Sequence, residues 1–178
     1  MIYFIRHGES EANARKVFAG QRDDSLLTET GREQARATAE EIKKEGIRID
    51  RIVSSPQKRT METAQIVAKE LGYDIEKIIP DPRVMEYDMG DITGTPWHEV
   101  SSQQMISGGG AENPQYFLKR ISSCVEDLQK LDGNTLLSSH GGVGRVLESI
   151  KQGVKVENFY DIPVYKNATV IELDWIEK

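Results

Sequence analysis

The sequence predicts a three-layer α/β/α sandwich with a mainly parallel central sheet, and three observations carry that expectation. Short apolar runs rich in β-formers alternate along the chain with longer segments of helical periodicity. That alternation packs most simply with helices on both faces of a parallel sheet. The 178 residues suffice for one substantial core, so a single domain over residues 1–178 is expected.

The first strand is "IYFI" (Ile2–Ile5), short and wholly apolar. "TETGREQARATAEEIKKEG" follows as a helix, with Thr28 as its cap, Gly46 as its stop and Ala35, Ala39 and Ile42 on one face. "DRIVSS" (Asp50–Ser55) is the second strand, ended by Pro56. "KRTMETAQIVAKELG" returns to helix, with Ala64, Val67 and Leu71 in its stripe and Gly72 closing it. The stretch "IIPDPRVMEYDMGDITGTP" is punctuated by Gly and Pro and reads as a loop region. "SGGGAEN" reads as a flexible turn into a helix over Asn113–Leu131, whose stripe is Phe117, Ile121, Val125 and Leu128. "NTLLSS" is a buried strand, "GRVLESI" a helix and "ATVIELDW" a last strand.

Composition narrows the function. A net charge of −6 argues against a general nucleic-acid binder, although it leaves room for a local cationic pocket. The one cysteine, Cys124, falls in a helical stripe; it reads as a buried hydrophobe, and a lone thiol permits neither an internal disulfide nor a multi-thiolate zinc site. No apolar run approaches the ~18 residues that span a bilayer, and no basic segment leads into an apolar one at the start. A cytoplasmic location without a membrane partner is the expectation.

Parallel sheets bind ligands beyond the carboxyl ends of their strands. Three strand ends deliver chemistry there: Arg6 and His7 after the first, Arg59 just after the second, and His140 after "NTLLSS". Two arginines and two histidines at one rim would form a cationic pocket inside an acidic protein. A tetrahedral phosphoryl group suits it, because arginine binds phosphate oxygens as a planar fork and keeps its charge.

Five stretches, "RHGESEAN", "GQRDDSLLTETGREQA", "SSPQKRTMETA", "VMEYDMGDITG" and "SSHGGVGR", together resemble the ordered motifs of the histidine phosphatase superfamily, also called the phosphoglycerate mutase-like family. The resemblance runs from Ile2 to about Asn167. It implies a phosphoglycerate mutase-like fold and a metal-independent, cofactor-free phosphatase acting on a small phosphorylated substrate. In that resemblance His7 is the nucleophile, Arg6, Arg59 and His140 hold the phosphoryl oxygens, and Glu86 is the general acid and base. Gly8, Asn13, Gln21 and Gly141 are expected against the substrate.

The chemistry fits those roles. His7 must attack as neutral imidazole, so one ring nitrogen needs a fixed hydrogen bond, and the neighbouring cations should lower its pKa. A bound phosphate dianion should favour protonated His140, and Glu86 needs a raised pKa to donate near neutral pH. Among nearby acids Asp88 is the rival to Glu86, while Glu11 and Asp91 suit surface roles, and His98 reads as a surface or packing residue. One departure is Ile92-Thr93-Gly94, where many family phosphatases carry Trp-Glu-Gly. Two alternatives stand beside hydrolysis: a phosphoglycerate mutase and a non-catalytic phosphate- or partner-binding module. Mutases of the family tend to carry His-Gly-Asn where this chain has His140-Gly141-Gly142. They also use extra cations, yet no Lys or Arg occurs between Gly94 and Lys119.

Overall fold

The computed structural model describes residues 1–175. Strand β1 (Ile2–Arg6) lies inside the sheet and is buried on both faces. Its alternation sorts side chains into two apolar layers: Ile2 and Phe4 join one, Tyr3 and Ile5 the other. Strands β2 (Arg51–Ser54) and β4 (Thr135–Ser139) divide their side chains the same way. Strand β3 (Ile79–Pro80) borders β2, and β5 (Val170–Glu172) borders β1, giving the order β3-β2-β4-β1-β5. All neighbours run parallel except β5, which is antiparallel to β1.

Helices α2 (Glu29–Lys44) and α3 (Lys58–Glu70) cover one face through Ala35, Ala39, Ile42, Ala64 and Val67. Helices α5 (Pro114–Gln129) and α6 (Gly141–Gln152) cover the other through Phe117, Ile121, Val143 and Val146. The expected three-layer sandwich is thus the fold. Thr28 Oγ1 accepts from the Gly31 N–H as the α2 cap, and Asn113 caps α5. Gly46 and Gly72 take positive φ, the left-handed backbone that ends a helix, just past α2 and α3.

Three elements depart from the expected pattern. Helix α1 (Glu11–Ala14) and helix α4 (Ser102–Ser107) are too short for a hydrophobic period, and β3 is two residues inside a Pro-punctuated stretch. The turn "SGGGAEN" is not a loose connector. Asp91 N–H donates to Gly109 O at 2.9 Å, a Cβ on Gly90 would run into that same carbonyl, and Glu112 pairs with Arg120 at 2.7 Å. This stretch is packed against the loop that carries Glu86. The last strand is also shorter than "ATVIELDW", because only Tyr3, Phe4 and Ile5 of β1 pair with it.

Candidate active site

The register aligns the chemistry: Arg6 lies opposite Ser139 across β1 and β4, and Ser54 opposite Ser138 across β2 and β4. The next residues out, His7, Ser55 and His140, therefore meet at the carboxyl edge of the sheet. The rings of His7 and His140 face each other edge-on, with centroids 5.4 Å apart.

His7 is 3% exposed, and its Nδ1–H donates to the Gly8 carbonyl at 2.7 Å. A carbonyl only accepts, so the proton sits on Nδ1 and Nε2 carries the lone pair. The Gly8 N–H is already donated to Thr63 Oγ1 at 3.1 Å, so Gly8 has no N–H left for the substrate contact expected of it. Its missing side chain serves packing instead, since a Cβ there would strike the Gly31 carbonyl of α2. Asn167 Nδ2 holds the His7 carbonyl at 2.9 Å and also reaches Asn13 Oδ1 at 3.2 Å. Asn13 Oδ1 closes a capping box with Ser10 on α1, which leaves its amide N–H groups for a ligand.

Arg6 donates through Nη1 to the Tyr165 carbonyl at 2.7 Å, and its buried Nε has no partner among the described residues. Burial, Arg145 and Arg59 lower its pKa to about 10 against the opposing pull of Glu86. Arg59 enters from the first turn of α3 at 1% exposure, held by the carbonyls of Asp23 at 2.8 Å and Gly20 at 2.9 Å. His140 engages Ser55 Oγ through Nε2 at 2.8 Å, while its buried Nδ1 is unpartnered among the described residues. His140 is also the N-cap of α6 and makes no side-chain cap; the Glu86 carboxylate takes the Gly142 N–H at that end of the helix.

Glu86 sits at 8% exposure with its carboxylate fixed from two sides, by the Tyr87 N–H at 2.9 Å and the Gly142 N–H at 3.2 Å. Its backbone is clamped equally well: Gln57 Oε1 accepts from the Glu86 N–H, and Gln21 Nε2 and Arg120 Nη2 donate to its carbonyl. Gln21, expected against the substrate, thus positions the Glu86 loop. Gln57, Thr63, Asn167 and Arg120 were not legible as site residues in the sequence. Arg120 falls three residues after Phe117 and would pass for an ordinary helix charge. Yet it is nearly buried and also holds the carbonyls of Arg83 and Met85, each at 2.7 Å. Asp88 is committed elsewhere, paired with Arg22 at 3.0 Å and capping the Gly90 N–H. Asp91 and His98 are exposed. A cavity of 310 Å³ is lined by Gln21, Met85, Asp88, Glu112 and Arg120 among others, and both of its carboxylates are paired with arginines.

Burial first, then Arg59 and its other cationic neighbours, holds both His7 and His140 well below the ordinary histidine pKa of 6.5. Above 6.5 neither the folded nor the unfolded chain is protonated at these rings, and their contribution to stability is complete. As pH falls from 6.5 toward the lowered folded values, only the unfolded chain takes up protons. Stability should then fall by up to ~1.4 kcal/mol per pH unit for each ring. Urea unfolding between pH 7.5 and 5.5 checks this, and a midpoint that stays constant would contradict it.

Fold and site together define an α/β protein with a histidine-bearing cationic cage at the carboxyl edge of its sheet. The model of the histidine phosphatase superfamily (branch 1) matches residues 2–178. The chain belongs to that superfamily. It is 31% identical to a putative phosphoserine phosphatase of Hydrogenobacter thermophilus, over 97% of this chain and 88% of the relative. It is 47% identical to a probable phosphoglycerate mutase of Photorhabdus laumondii, over 79% and 69% of the two chains. A broad-specificity phosphatase of Saccharomyces cerevisiae is 31% identical over 99% of this chain and 80% of its own. By class the protein is a phosphoric monoester hydrolase of this superfamily. The fold is shared with the mycobacterial glucosyl-3-phosphoglycerate phosphatase, at a TM-score of 0.79 and 24% identity over 95% of this chain and 90% of that one. Among the described residues no helix is long and apolar enough to cross a membrane, and no group of three or more His, Cys, Asp or Glu is placed to hold a metal.

Proposed function

We propose that the protein hydrolyses a small phosphate monoester through a phosphohistidine on His7, with Glu86 moving the proton. The observation that carries this reading is the Nδ1–H bond of His7 to Gly8, which leaves Nε2 as the nucleophile beside Arg6, Arg59 and His140. Phosphoryl transfer needs in-line positioning and neutralisation of the equatorial oxygens, and two guanidiniums and a histidine offer both. In the first step Nε2 forms a P–N bond as the ester P–O bond breaks, and Glu86 gives its proton to the leaving oxygen. In the second, water forms a new P–O bond and passes a proton to Glu86, and the P–N bond breaks to release inorganic phosphate. Burial and then the surrounding cations hold His140 neutral, and a bound dianion, by opposing the cations, favours its protonated form.

In this reading the cage does the neutralising that a divalent ion does elsewhere. Activity should persist in EDTA, and vanadate should inhibit by occupying the cage. Activity lost in EDTA and restored by one added divalent ion would contradict that.

The 47% likeness to a probable phosphoglycerate mutase keeps a second reading in play. Against it, a Cβ at Gly142 would collide with Glu86 Oε1, so a side chain there displaces the proposed acid. Segment 95–118 also brings no Lys or Arg for a second acidic group. Incubation with 3-phosphoglycerate and 2,3-bisphosphoglycerate separates the two readings. Free phosphate should outpace 2-phosphoglycerate, and interconversion that outran phosphate release would overturn the hydrolase.

A further inference from the structure

Gln57 stands directly before α3, two residues ahead of Arg59, and is 4% exposed. It is the N-cap residue of that helix but makes no side-chain cap; its amide is spent elsewhere. Nε2 donates to the Gly20 carbonyl at 3.1 Å, and Oε1 accepts from the Glu86 N–H at 2.9 Å. The Gly20 carbonyl is the same one that takes Arg59 Nη2 at 2.9 Å. One oxygen therefore anchors both a cage arginine and the group that holds the backbone of Glu86. Gly20 has φ +54°, and a Cβ there would come within 3.2 Å of the Tyr87 carbonyl, so the anchor itself packs against the Glu86 loop.

The backbone of Glu86 is held unevenly. Its carbonyl accepts from both Gln21 Nε2 and Arg120 Nη2, and Arg120 Nη1 also holds the Met85 carbonyl. Its N–H has a single acceptor among the described residues, Gln57. Without Gln57 the loop would keep Gln21 and Arg120, while the peptide group before Glu86 would lose its tie to the start of α3. Arg59 would keep the carbonyls of Asp23 and Gly20. An acid delivers its proton only at hydrogen-bond distance, and a displacement of about 1 Å can cost ~10²-fold in rate. A primary amide suits this place because one planar group carries the acceptor for the Glu86 N–H and the donor for Gly20.

We propose that Gln57 is a positioning residue that sets Glu86 against the phosphate cage, so that it governs protonation of the leaving group and not phosphate binding. This rests on the hydrolase reading, with Glu86 as the acid.

The test compares kcat/KM on 3-phosphoglycerate, an alkyl ester, with that on p-nitrophenyl phosphate, whose leaving group hardly needs a proton. Gln57→Met, close to glutamine in length, removes both hydrogen bonds. It should slow 3-phosphoglycerate by about 10- to 100-fold, with the aryl ester and inhibition by vanadate each changed by less than about threefold. Gln57→Glu keeps an oxygen for the Glu86 N–H, and its added charge weakens both dianionic esters alike, so the ratio of the two should stay close to that of the unmodified protein. Adding Gln57→Met to Glu86→Gln should cost less than about threefold more on 3-phosphoglycerate, because an acid already lost cannot be misplaced. Equal losses on both esters in Gln57→Met, multiplying losses in the double variant, or a ratio that moves as far in Gln57→Glu would overturn the inference. Loss of vanadate inhibition or of the folded circular dichroism spectrum in Gln57→Met would make the residue structural and overturn it as well. Glu86→Gln alone reads the acid: equal losses on both esters there overturn the acid and the inference together, whereas a ratio that moves in Glu86→Gln and not in Gln57→Met overturns the inference alone.

Discussion

Replacing His7 by alanine should abolish turnover and the acid-labile phosphoenzyme together. Among the described residues the ring has one hydrogen bond, Nδ1–H to the Gly8 carbonyl, and it stands beside His140 within the influence of Arg59 and Arg6. A histidine in a purely structural role would not need the neutral Nε2 that this tautomer and the lowered pKa maintain. Removing a covalent nucleophile should reduce kcat/KM by more than the ~10²-fold that lost general-acid help can cost. The cage itself would survive, because Arg59 is held by Gly20 and Asp23 and Arg6 by Tyr165, independently of the ring. Vanadate should therefore still bind the variant. Brief incubation with a 32P-labelled ester, followed by neutral and acid washes, reads the phosphoenzyme. A variant that kept more than about a hundredth of the activity would remove His7 as the nucleophile.

The sequence makes the fold legible wherever an element is long enough to show a period. Helices α2, α3, α5 and α6 each carry an apolar stripe, with a side-chain N-cap on α2 and α5 and a closing glycine after α2 and α3, and β1, β2 and β4 each contain a short apolar run. Helices α1 and α4, of 4 and 6 residues, have no such period, and β3 owes its existence to pairing with Val53 and Ser54. The site divides along the same line. Arg6, His7 and His140 follow directly from strands, and Arg59 from the first turn of a helix, so local pattern places them at one edge. Residues that act through distant chain leave no local signal: Gln57 ties the Glu86 N–H to the Gly20 carbonyl, and Asn167 holds His7 across |i−j| = 160.

Replacing Glu86 by glutamine should slow esters with poor leaving groups strongly and spare aryl phosphates. The amide keeps one oxygen, enough to accept from the Tyr87 or the Gly142 N–H but not from both, since these bond Oε1 and Oε2 separately; the loop should stay in place because Gln57, Gln21 and Arg120 hold the backbone of residue 86. What it loses is the proton for the leaving oxygen. An alkoxide leaves badly without that proton, whereas an acidic phenolate hardly needs it, so the loss on alkyl esters should reach ~10²–10⁴-fold. The comparison belongs on kcat/KM, which covers only steps up to the first release of alcohol. In the second step water attacks the same phosphoenzyme from either ester, so kcat falls for both, and aryl phosphate should then show a burst of phenol. Gly142→Ala offers an independent route to the same end, because its Cβ would collide with Glu86 Oε1 and drive the carboxylate out of line. It should reproduce the dependence on leaving group with the acid still present. Asp88→Asn should not, since Asp88 is paired with Arg22 and caps the Gly90 N–H; its loss should lower the melting temperature and leave the alkyl-to-aryl ratio alone. Equal losses on both ester types in Glu86→Gln, with the ratio moving in Asp88→Asn instead, would transfer the acid to Asp88.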